Sequence, residues 1–515
     1  MPATTPSSVA PPATYAGGPE PMVLIVGAGP AGLFAACELV RHGIRPRVVE
    51  RRPEPHHEAR GTALQPAVLA MLERGGLIEP FLDAGVRIRR IQLLGPGQRE
   101  IAIEEFAGAG CRHEFQCSLP QWRTETILRD HLASLGLDIE FGTEVIPIED
   151  APDGIRVTLD RGGRTETITA AYVLGAGGAH SMTRHWMHEH LEGDTYDGRY
   201  FVADATIRLP GPPECGRLVV GPTGFVLLSP LPDQRMLIFV NRDDADTRAE
   251  VPSEAELASL LNARTGIDVG LGDLRWVSPF TMHKRQVAHL SDGRRFLMGD
   301  AAHLSSPLGG EGLNSAFMDA GNIAWKLALV LRGAARPSLL DSYAAERGLA
   351  DRHVLEVSDE VHGRVMGLVS MCRAGGAPSV QPGDPAQRQA GLRRRLMLDV
   401  SYAGSALVGE VGAFATGPGP GERFPFGHRL KGTGHHLIIF GSIPQLDELQ
   451  ERWDGLVSII DGGSAFDAAQ CGLPDTGAIL VRPDGFIGFR AAPVDGSMVQ
   501  AIHGHLETYL VPGAR

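Results

Sequence analysis

A glycine-rich turn near the start of the chain, followed by an acid, has the residue types and spacing of a phosphate-binding site. The apolar run 22–26 predicts a buried strand, and the glycines Gly27, Gly29 and Gly32 connect it to a helix over 33–40. Such a turn lets a pyrophosphate approach the backbone, and the first N–H groups of the helix attract its charge. A second strand ends at Glu50, where a carboxylate can bind a ribose hydroxyl. The pattern predicts a dinucleotide site, but it does not distinguish NAD from FAD.

A second glycine-rich run repeats this arrangement in the middle of the chain. Residues 296–303 predict a strand that ends at Asp300, and residues 307–320 predict a turn that leads into another helix. The glycines of this turn let a flat ligand approach the backbone. The first helical N–H groups, at Leu313 and Asn314, are placed to stabilise negative charge. An isoalloxazine ring needs such donors at its N1–C2=O edge when it is reduced to the anion.

Together with Asp-Ala-Gly-Asn-Ile-Ala-Trp-Lys-Leu at 319–327, these runs resemble the single-component (class A) FAD-dependent aromatic hydroxylases, the relatives of para-hydroxybenzoate hydroxylase. The three-part layout and the segment 480–485 are similar to the phenol-hydroxylase-like branch, which includes aromatic polyketide hydroxylases. The resemblance covers about residues 22–510. It implies an α/β fold with a Rossmann-like FAD-binding domain, an inserted mixed-sheet substrate domain and a C-terminal thioredoxin-like domain.

The resemblance also implies the residues that bind the cofactor. They are Gly27, Ala28, Gly29, Pro30, Ala31, Gly32, Glu50, Arg51, Arg60, Gln121, Val145, Asp300, Pro307, Gly309, Gly312, Leu313 and Asn314. Arg60 matches an arginine in the loop beside the flavin and is a candidate for a catalytic role. Its alternative is a solvated loop charge, which is a frequent role for arginine.

The reaction implied by the resemblance is hydroxylation of a bulky aromatic, polyketide-like compound with NAD(P)H and O2, through a flavin C4a-hydroperoxide. The cofactor supplies the reactive oxygen, so no protein nucleophile is required. A base could assist deprotonation of a phenol; His283, His289 and His303 are available, although each is more often a surface or core histidine. Two alternatives remain open: Baeyer–Villiger oxygenation of a related polycyclic ketone, and a non-redox flavin-binding protein.

Three positions depart from the family pattern. Gly177 and Gly178 stand where the family usually has Asp-Gly, and that aspartate is linked to FAD and NAD(P)H binding. This loss is the only sequence feature that supports the non-redox alternative. Glu311 replaces the usual glutamine, and a carboxylate there disfavours an anionic flavin unless it points away or is protonated. Ala316 in place of a glycine is a small change.

Changes in composition and hydrophobic periodicity divide the chain. The predicted parts are a disordered tail over 1–21, an FAD-binding domain over 22–189 and 285–390, a substrate domain over 190–284, a helix and linker over 391–422, and a thioredoxin-like domain over 423–515. Candidate substrate-lining residues are Phe225, Leu227, Trp276, Phe280 and Met282, for which plain core packing is the more frequent role. The apolar content of this region favours a bulky aromatic substrate over a small hydroxybenzoate.

Composition limits the other classes of protein. The net charge of −13 disfavours a nucleic-acid partner, and no apolar run reaches membrane-spanning length. Six cysteines without metal-ligand spacing suit a reducing cytoplasm, so we expect a cytoplasmic protein. We expect a monomer or a homodimer. The histidine pairs at 56–57 and 435–436 lack further ligands at a suitable spacing, so no metal is expected. A single cysteine in the end domain does not support thiol-redox chemistry.

Overall fold

A computed structural model describes residues 22–55, 61–242, 250–380, 383–412, 414, 417–442, 445–473, 476–493 and 496–513. The predicted disordered tail over 1–21 and Arg60 lie outside these described residues. The described part has a mixed α/β fold, as the sequence predicted, with three main sheets and helices between them.

The strands of the described residues are, in chain order, β1 (Val23–Val26), β2 (Arg47–Glu50), β3 (Ala63–Leu64), β4 (Val86–Ile88), β5 (Arg90–Leu94), β6 (Glu100–Glu105), β7 (Gln116–Ser118), β8 (Ile139–Phe141), β9 (Glu144–Ala151), β10 (Gly154–Arg161), β11 (Arg164–Ala170), β12 (Tyr172–Gly175), β13 (Glu192–Thr195), β14 (Tyr200–Thr206), β15 (Cys215–Gly221), β16 (Gly224–Leu231), β17 (Arg235–Asn241), β18 (Gly272–Phe280), β19 (His283–Gln286), β20 (Ser291–Asp292), β21 (Arg295–Leu297), β22 (His303–Leu304), β23 (Gly409–Val411), β24 (His435–Phe440), β25 (Val457–Asp461), β26 (Gly477–Val481) and β27 (Ile487–Ala491).

The α-helices are α1 (Pro30–Arg41), α2 (Pro66–Arg74), α3 (Ile78–Ala84), α4 (Gln121–Ser134), α5 (Met182–Trp186), α6 (Glu254–Thr265), α7 (Gly312–Leu331), α8 (Asp341–Arg373), α9 (Pro385–Arg395), α10 (Leu446–Arg452), α11 (Gly462–Ala465) and α12 (Gly496–Glu507).

The first sheet has the strand order β20-β21-β12-β1-β2-β8, with β1 near its centre. Val23 and Ile25 face the core that contains α1 and α7, whereas Leu24 faces the three-stranded sheet β11-β10-β9. Both faces of β1 are therefore covered, which explains its continuous apolar sequence. The strands β2, β1, β12 and β21 run parallel, so the turns that follow β1, β12 and β21 meet at one edge of the sheet.

The second sheet has seven strands in the order β18-β14-β17-β16-β15-β5-β6. Helix α6 packs on one face, and the C-terminal part of α8 packs on the other, because side chains alternate along each strand. Two of its strands, β5 and β6, come from residues before the predicted substrate domain. The predicted range 190–284 is therefore too narrow for this layer, which also includes residues 90–105.

The third sheet lies in the C-terminal part and has the order β23-β27-β26-β24-β25. Its strands are mixed in direction: β24 pairs parallel with β25 and antiparallel with β26. The predicted linker and helix before it differ from the structure, since α9 (Pro385–Arg395) starts earlier than the predicted helix at 391 and ends before 408. Asp384 accounts for this start, because its carboxylate accepts a hydrogen bond from the backbone N–H of Gln387.

A buried ion network fastens this C-terminal sheet to the first domain. Arg482 donates to both carboxylate oxygens of Glu346 on α8, at 2.6 and 2.8 Å, and also contacts Asp484. Lys326 and Asn322 on α7 donate to the same carboxylate, each at 2.8 Å. Burial alone raises the pKa of Glu346, but Arg482 and Lys326 outweigh it and hold that pKa well below its usual range. The carboxylate is therefore charged and joins α7, α8 and the C-terminal sheet.

Two further observations concern the whole described part. No helix there combines the length and the apolar character needed to cross a membrane. All six cysteines are free, and all but Cys111 are buried.

Replacement of Glu346 by alanine is expected to lower the free energy of unfolding by about 3–5 kcal/mol, because Arg482 and Lys326 lose their buried partner. The matched control is Glu360→Ala on the same helix, where an exposed carboxylate pairs with Arg394 at 3.1 Å. That change is expected to cost less than about 1 kcal/mol. Denaturant titrations of both variants measure the difference; equal, small losses would show that the buried network does not hold the C-terminal sheet.

Candidate active site

The first glycine turn packs so closely that two of its glycines are required by the fold. Gly27 has φ +112°, and a Cβ built on it lies 2.3 Å from the carbonyl oxygen of Ala176. A Cβ on Gly32 lies 2.0 Å from the carbonyl oxygen of Gly27, so α1 packs directly on the turn. A Cβ on Gly29 meets nothing within 4 Å. The face of Gly29 is therefore open to a ligand.

Glu50 stands at the carboxyl end of β2, beside this turn. Its Oε2 accepts a hydrogen bond from the backbone N–H of Ala28 at 2.9 Å, and Oε1 accepts one from Arg52 at 3.0 Å. These bonds hold the carboxylate at the edge of the sheet. Its remaining lone pairs are available to ribose hydroxyls.

A cavity of about 840 Å³ is lined both by residues of this edge and by residues of the seven-stranded sheet. Its cofactor half lies along the turns that follow β1, β12 and β21, and its other half lies against the seven-stranded sheet. The predicted cofactor residues that line it are Gly27, Gly29, Pro30, Ala31, Glu50, Arg51, Gln121, Val145, Asp300, Pro307, Gly309, Gly312 and Leu313. Residues from six separate segments of the chain thus converge on one cavity.

Three predicted cofactor residues lie behind the cavity wall. Gly32 packs against the first turn, and Ala28 presents its backbone N–H to Glu50. Asn314 is buried, and its Nδ2 donates to the carbonyl oxygens of Ala63 at 2.8 Å and Gly310 at 2.7 Å. It therefore shapes the loop 305–312 that faces the cavity. Arg60, the candidate for a catalytic role, falls outside the described residues.

A cluster of buried charges joins the segment before the loop 305–312 to the helices α7 and α8. Asp319 on α7 accepts from the backbone N–H of Gly299 at 2.8 Å, pairs with His303 at 2.8 Å and accepts from Arg347 at 2.7 Å. Burial lowers the pKa of His303, but Asp351 and Asp319 outweigh it and raise that pKa to about 9. His303 is therefore a cation that joins the segment before the loop 305–312 to Asp319 on α7 and Asp351 on α8. The two carboxylates have the spacing of metal ligands, but Arg347 contacts both, and we interpret the cluster as structural.

Glu311 follows the glycines of the loop, and its carboxyl group lies inside the protein. It is 1% exposed, and neither Oε1 nor Oε2 has a hydrogen-bond partner among the described residues. The group packs against Gly309, where a Cβ would lie 1.9 Å from its oxygens. Burial raises the pKa of Glu311 to about 8. The side chain is thus neutral below that pH, and it does not line the cavity, which removes the expected conflict with an anionic ring.

The departure at 177–178 lies at the cavity surface. Both Gly177 and Gly178 line it, together with His180 and Met182. Gly177 has an ordinary φ of −75°, and a Cβ there meets Ser181 Cα at 3.3 Å. The backbone angle at 177 suits any residue, but the 3.3 Å contact is tighter than an ordinary van der Waals contact, so Ser181 must shift slightly to admit a side chain. The carboxylate that the family resemblance places here is absent from this chain.

The half of the cavity that lies against the seven-stranded sheet is here called the substrate half. Its lining residues agree only in part with those predicted from the sequence. Leu227 and Phe280 line it, but Phe225, Trp276 and Met282 do not. Phe225 shares a face of β16 with Leu227, but α8 covers it. Trp276 lies four residues along β18 from Phe280, so it stands about 13 Å from the residue that lines the cavity. Met282 is buried behind the loop, with its sulfur 3.6 Å from Ser306 Oγ.

Sequence reasoning missed several residues of this half. They are Ile88, Ile91, Gln116, Val202, Ser229, Leu237 and Phe239. The alternation along β14, β16 and β17 could have indicated Val202, Leu237 and Phe239, because they share the face of Leu227. Nothing local in the sequence indicates that β4, β5 and β7 join them. Of the histidines, His283 lines the cavity, whereas His289 is exposed and pairs with Glu189 at 2.7 Å.

Comparison with known proteins gives the family. The family described as "FAD binding domain" matches residues 20–358. The 6-methylpretetramide 4-monooxygenase of Streptomyces rimosus is 31% identical over 509 residues, which span 91% of this chain and 90% of that protein. The chain therefore belongs to this FAD-binding family, and the resemblance to FAD-dependent aromatic hydroxylases is confirmed.

Solved structures extend the likeness over the whole fold. OxyS anhydrotetracycline hydroxylase from Streptomyces rimosus matches with a TM-score of 0.73 and 28% identity, over 95% of this chain and 99% of that one. A ternary complex of aklavinone-11 hydroxylase with FAD and aklavinone matches with a TM-score of 0.79 and 25% identity, over 95% and 98% of the two chains.

Gly29→Ala and Gly32→Ala are expected to fail in different ways. The first variant folds but loses FAD, because the new methyl group occupies the open face where a pyrophosphate would approach. The second loses stability, because its Cβ overlaps the carbonyl oxygen of Gly27. The ratio of bound flavin to protein and the thermal unfolding of the FAD-free proteins separate the two effects. Full flavin content in Gly29→Ala would contradict the assignment of this face.

Glu311→Gln is expected to change the pH dependence of stability. Unfolded glutamate has a pKa near 4.5, whereas burial raises the folded pKa to about 8. The stability that the neutral carboxyl contributes is complete below pH 4.5 and is lost as pH rises through 8, by about 1.4 kcal/mol per pH unit. The glutamine variant lacks this loss, so its advantage over the wild type grows across that range.

Denaturant titrations at several pH values measure this effect. The matched control is Glu451→Gln, which removes an exposed carboxylate and is expected to leave the profile unchanged. Parallel profiles for the wild type and Glu311→Gln would contradict a buried neutral Glu311.

Proposed function

We propose that this protein is an FAD-dependent monooxygenase that uses NAD(P)H and O2 to hydroxylate a bulky aromatic compound of the polyketide type. The observation that carries the proposal is the single cavity, in which a nucleotide-binding half and an apolar half meet at the loop 305–312. The named relatives support it, because they are a 6-methylpretetramide monooxygenase, an anhydrotetracycline hydroxylase and an aklavinone hydroxylase.

The cofactor half fits FAD by the chemistry of its donors. The open face of Gly29 and the N-terminus of α1 bind the pyrophosphate, and Glu50 binds the adenosine ribose. Asp300 binds the ribityl side, Arg51 and Val145 complete the adenosine region, and Gln121 contributes a further contact to FAD. When bound, FAD supplies the redox centre that takes electrons from NAD(P)H and activates O2.

The loop 305–312 and the start of α7 would bind the N1–C2=O edge of the isoalloxazine ring. Backbone N–H groups at the N-terminus of α7, at Gly312 and Leu313, stabilise negative charge there. The neutral carboxyl of Glu311 adds no opposing charge below about pH 8. The buried cluster around Asp319 keeps these groups in place.

The apolar half positions the substrate and excludes water. Its walls include Leu227, Leu237, Phe239 and Phe280, which suit a flat hydrophobic ring system. Exclusion of water protects a reactive oxygen species from premature decay. His283 lines this half, and burial lowers its pKa, so it is neutral at physiological pH and available as a proton acceptor.

The C-terminal domain is proposed to be thioredoxin-like in fold and structural in role. Its sole cysteine, Cys471, is buried, and burial raises the pKa of its thiol to about 11, which keeps it unreactive. The network around Glu346 fastens the domain to α7 and α8. We place the enzyme in the cytoplasm, as a monomer or homodimer.

Anaerobic reduction of the bound FAD by NADPH or NADH tests the proposal. Loss of flavin absorbance is expected to accelerate when a hydroxylated polycyclic aromatic compound is bound. Gly177→Asp is expected to change nicotinamide affinity or the reduction rate, because it restores the missing carboxylate. The matched control is Gly363→Asp, which adds the same charge at an exposed position on α8 where a Cβ meets nothing within 4 Å. FAD that is bound but never reduced, with any aromatic compound, would contradict the proposal and favour a non-redox role.

A further inference from the structure

Two glutamines connect the substrate half of the cavity to the loop 305–312. Gln116 on β7 lines the cavity, and Gln65, just before α2, is fully buried. Nε2 of Gln116 donates to Oε1 of Gln65 at 3.1 Å, and Nε2 of Gln65 donates to the carbonyl oxygen of Gly309 at 3.4 Å. The backbone N–H of Gln65 donates to Oδ1 of Asn314 at 2.7 Å, which fixes its position.

The direction of this chain of hydrogen bonds is determined at its inner end. A carbonyl oxygen only accepts, so Gly309 requires Nε2 of Gln65 to face it. Oε1 of Gln65 then faces Gln116, which must present Nε2 in turn. The amide oxygen of Gln116 is left without a donor among the described residues. Oε1 of Gln116 is therefore an acceptor at the cavity wall that no protein group in the described residues occupies.

The surroundings make this acceptor selective. Its neighbours in the substrate half are mostly apolar, such as Ile88, Ile91 and Leu227, and Ser229 adds one hydroxyl to the same wall. The carboxylate and guanidinium side chains of the described cavity wall lie in the cofactor half, and His283 in the substrate half is neutral at physiological pH because burial lowers its pKa. The cofactor-half groups are Glu50, Arg51, Arg52, Glu125, Glu144 and Asp300. A substrate group that meets Gln116 is therefore neutral and carries a proton to donate.

We propose that Gln116 is a specificity-determining residue whose Oε1 accepts a hydrogen bond from a neutral hydroxyl group of the aromatic substrate, with its orientation set by Gln65 and Gly309. The inference rests on the proposed function and adds the class of substituent that the site selects. Gln116 and Gln65 also join the substrate to the loop 305–312 through consecutive hydrogen bonds, so the bound hydroxyl group and the loop are positioned together.

Equilibrium binding to the oxidised, FAD-loaded protein tests the proposal without turnover. The probes are 2-hydroxyanthraquinone, which can donate, 2-methoxyanthraquinone, which can only accept, and unsubstituted anthraquinone, at a pH that keeps the phenol neutral. The wild type is expected to bind the hydroxy compound about tenfold more tightly than the methoxy compound. In Gln116→Leu the ratio is expected to fall to about one through loss of affinity for the hydroxy compound.

Gln65→Leu distinguishes orientation from mere packing. Without Gln65, the amide of Gln116 can turn and present Nε2, so the methoxy compound is expected to bind more tightly than it does to the wild type. A purely structural role for Gln65 would weaken both compounds equally. Ser229→Ala, which removes a neighbouring hydroxyl on the same wall, is expected to leave the ratio unchanged. Flavin content and thermal unfolding verify each variant, and Gln116→Met replaces Gln116→Leu where the latter does not fold.

The outcomes separate this inference from the function on which it depends. Tight but equal binding of the hydroxy and methoxy compounds to the wild type overturns the role of Gln116 and leaves the proposed function intact. A preference that persists in Gln116→Leu, or that disappears in Ser229→Ala, overturns it as well. Failure of all three anthraquinones to bind contradicts the polycyclic substrate, and with it both proposals.

Discussion

The charges buried along α7 constrain the rest of the structure. Asp319 and Lys326 lie on a helix that is buried along most of its length, and neither charge is tolerable there without a partner. Asp319 takes its partners from His303 and Arg347, while Lys326 takes Glu346 and, through it, Arg482. The two buried charges have their partners only when the segment that carries His303, the helix α8 and the C-terminal sheet are all in their native positions.

This constraint connects the far C-terminal sheet with the chemistry at the other end of α7. The N-terminus of the helix forms part of the cavity wall, and its side chains further along reach the C-terminal domain. The C-terminal sheet is thus joined through α7 to the helix end that forms part of the cavity wall. The cofactor and substrate halves then share one wall, the loop 305–312, as a reaction between bound flavin and aromatic ring requires.

The local parts of the site could be predicted from sequence, and the long-range parts could not. The strand, glycines and helix at 23–41, with Glu50 after the next strand, depend on neighbouring residues and turn geometry. Phe225 and Trp276 were plausible lining residues by alternation, but α8 covers one and distance along β18 removes the other. The position of α8 depends on tertiary packing, which no local sequence pattern predicts.

Other features require pairs of residues that are far apart in the chain. Glu346 and Arg482 are separated by 136 positions, and Gln65 and Gly309 by 244. The effect of Glu311 on an anionic flavin could not be predicted from the sequence either, because it depends on whether the carboxyl group points toward the ring or away from it. The structure places it inside the protein, where burial keeps it neutral.

The central claim is that the cavity brings a flavin and an aromatic ring together for oxygen transfer. The most direct measurement is a single turnover of the reduced, FAD-loaded protein with isotopically labelled O2 and a hydroxylated polycyclic aromatic compound that binds to it. The proposed function predicts a phenolic product that contains one labelled oxygen atom per molecule, detected by mass spectrometry and placed on the ring by NMR. Complete release of the labelled oxygen as hydrogen peroxide, with the bound aromatic compound unchanged, would contradict it.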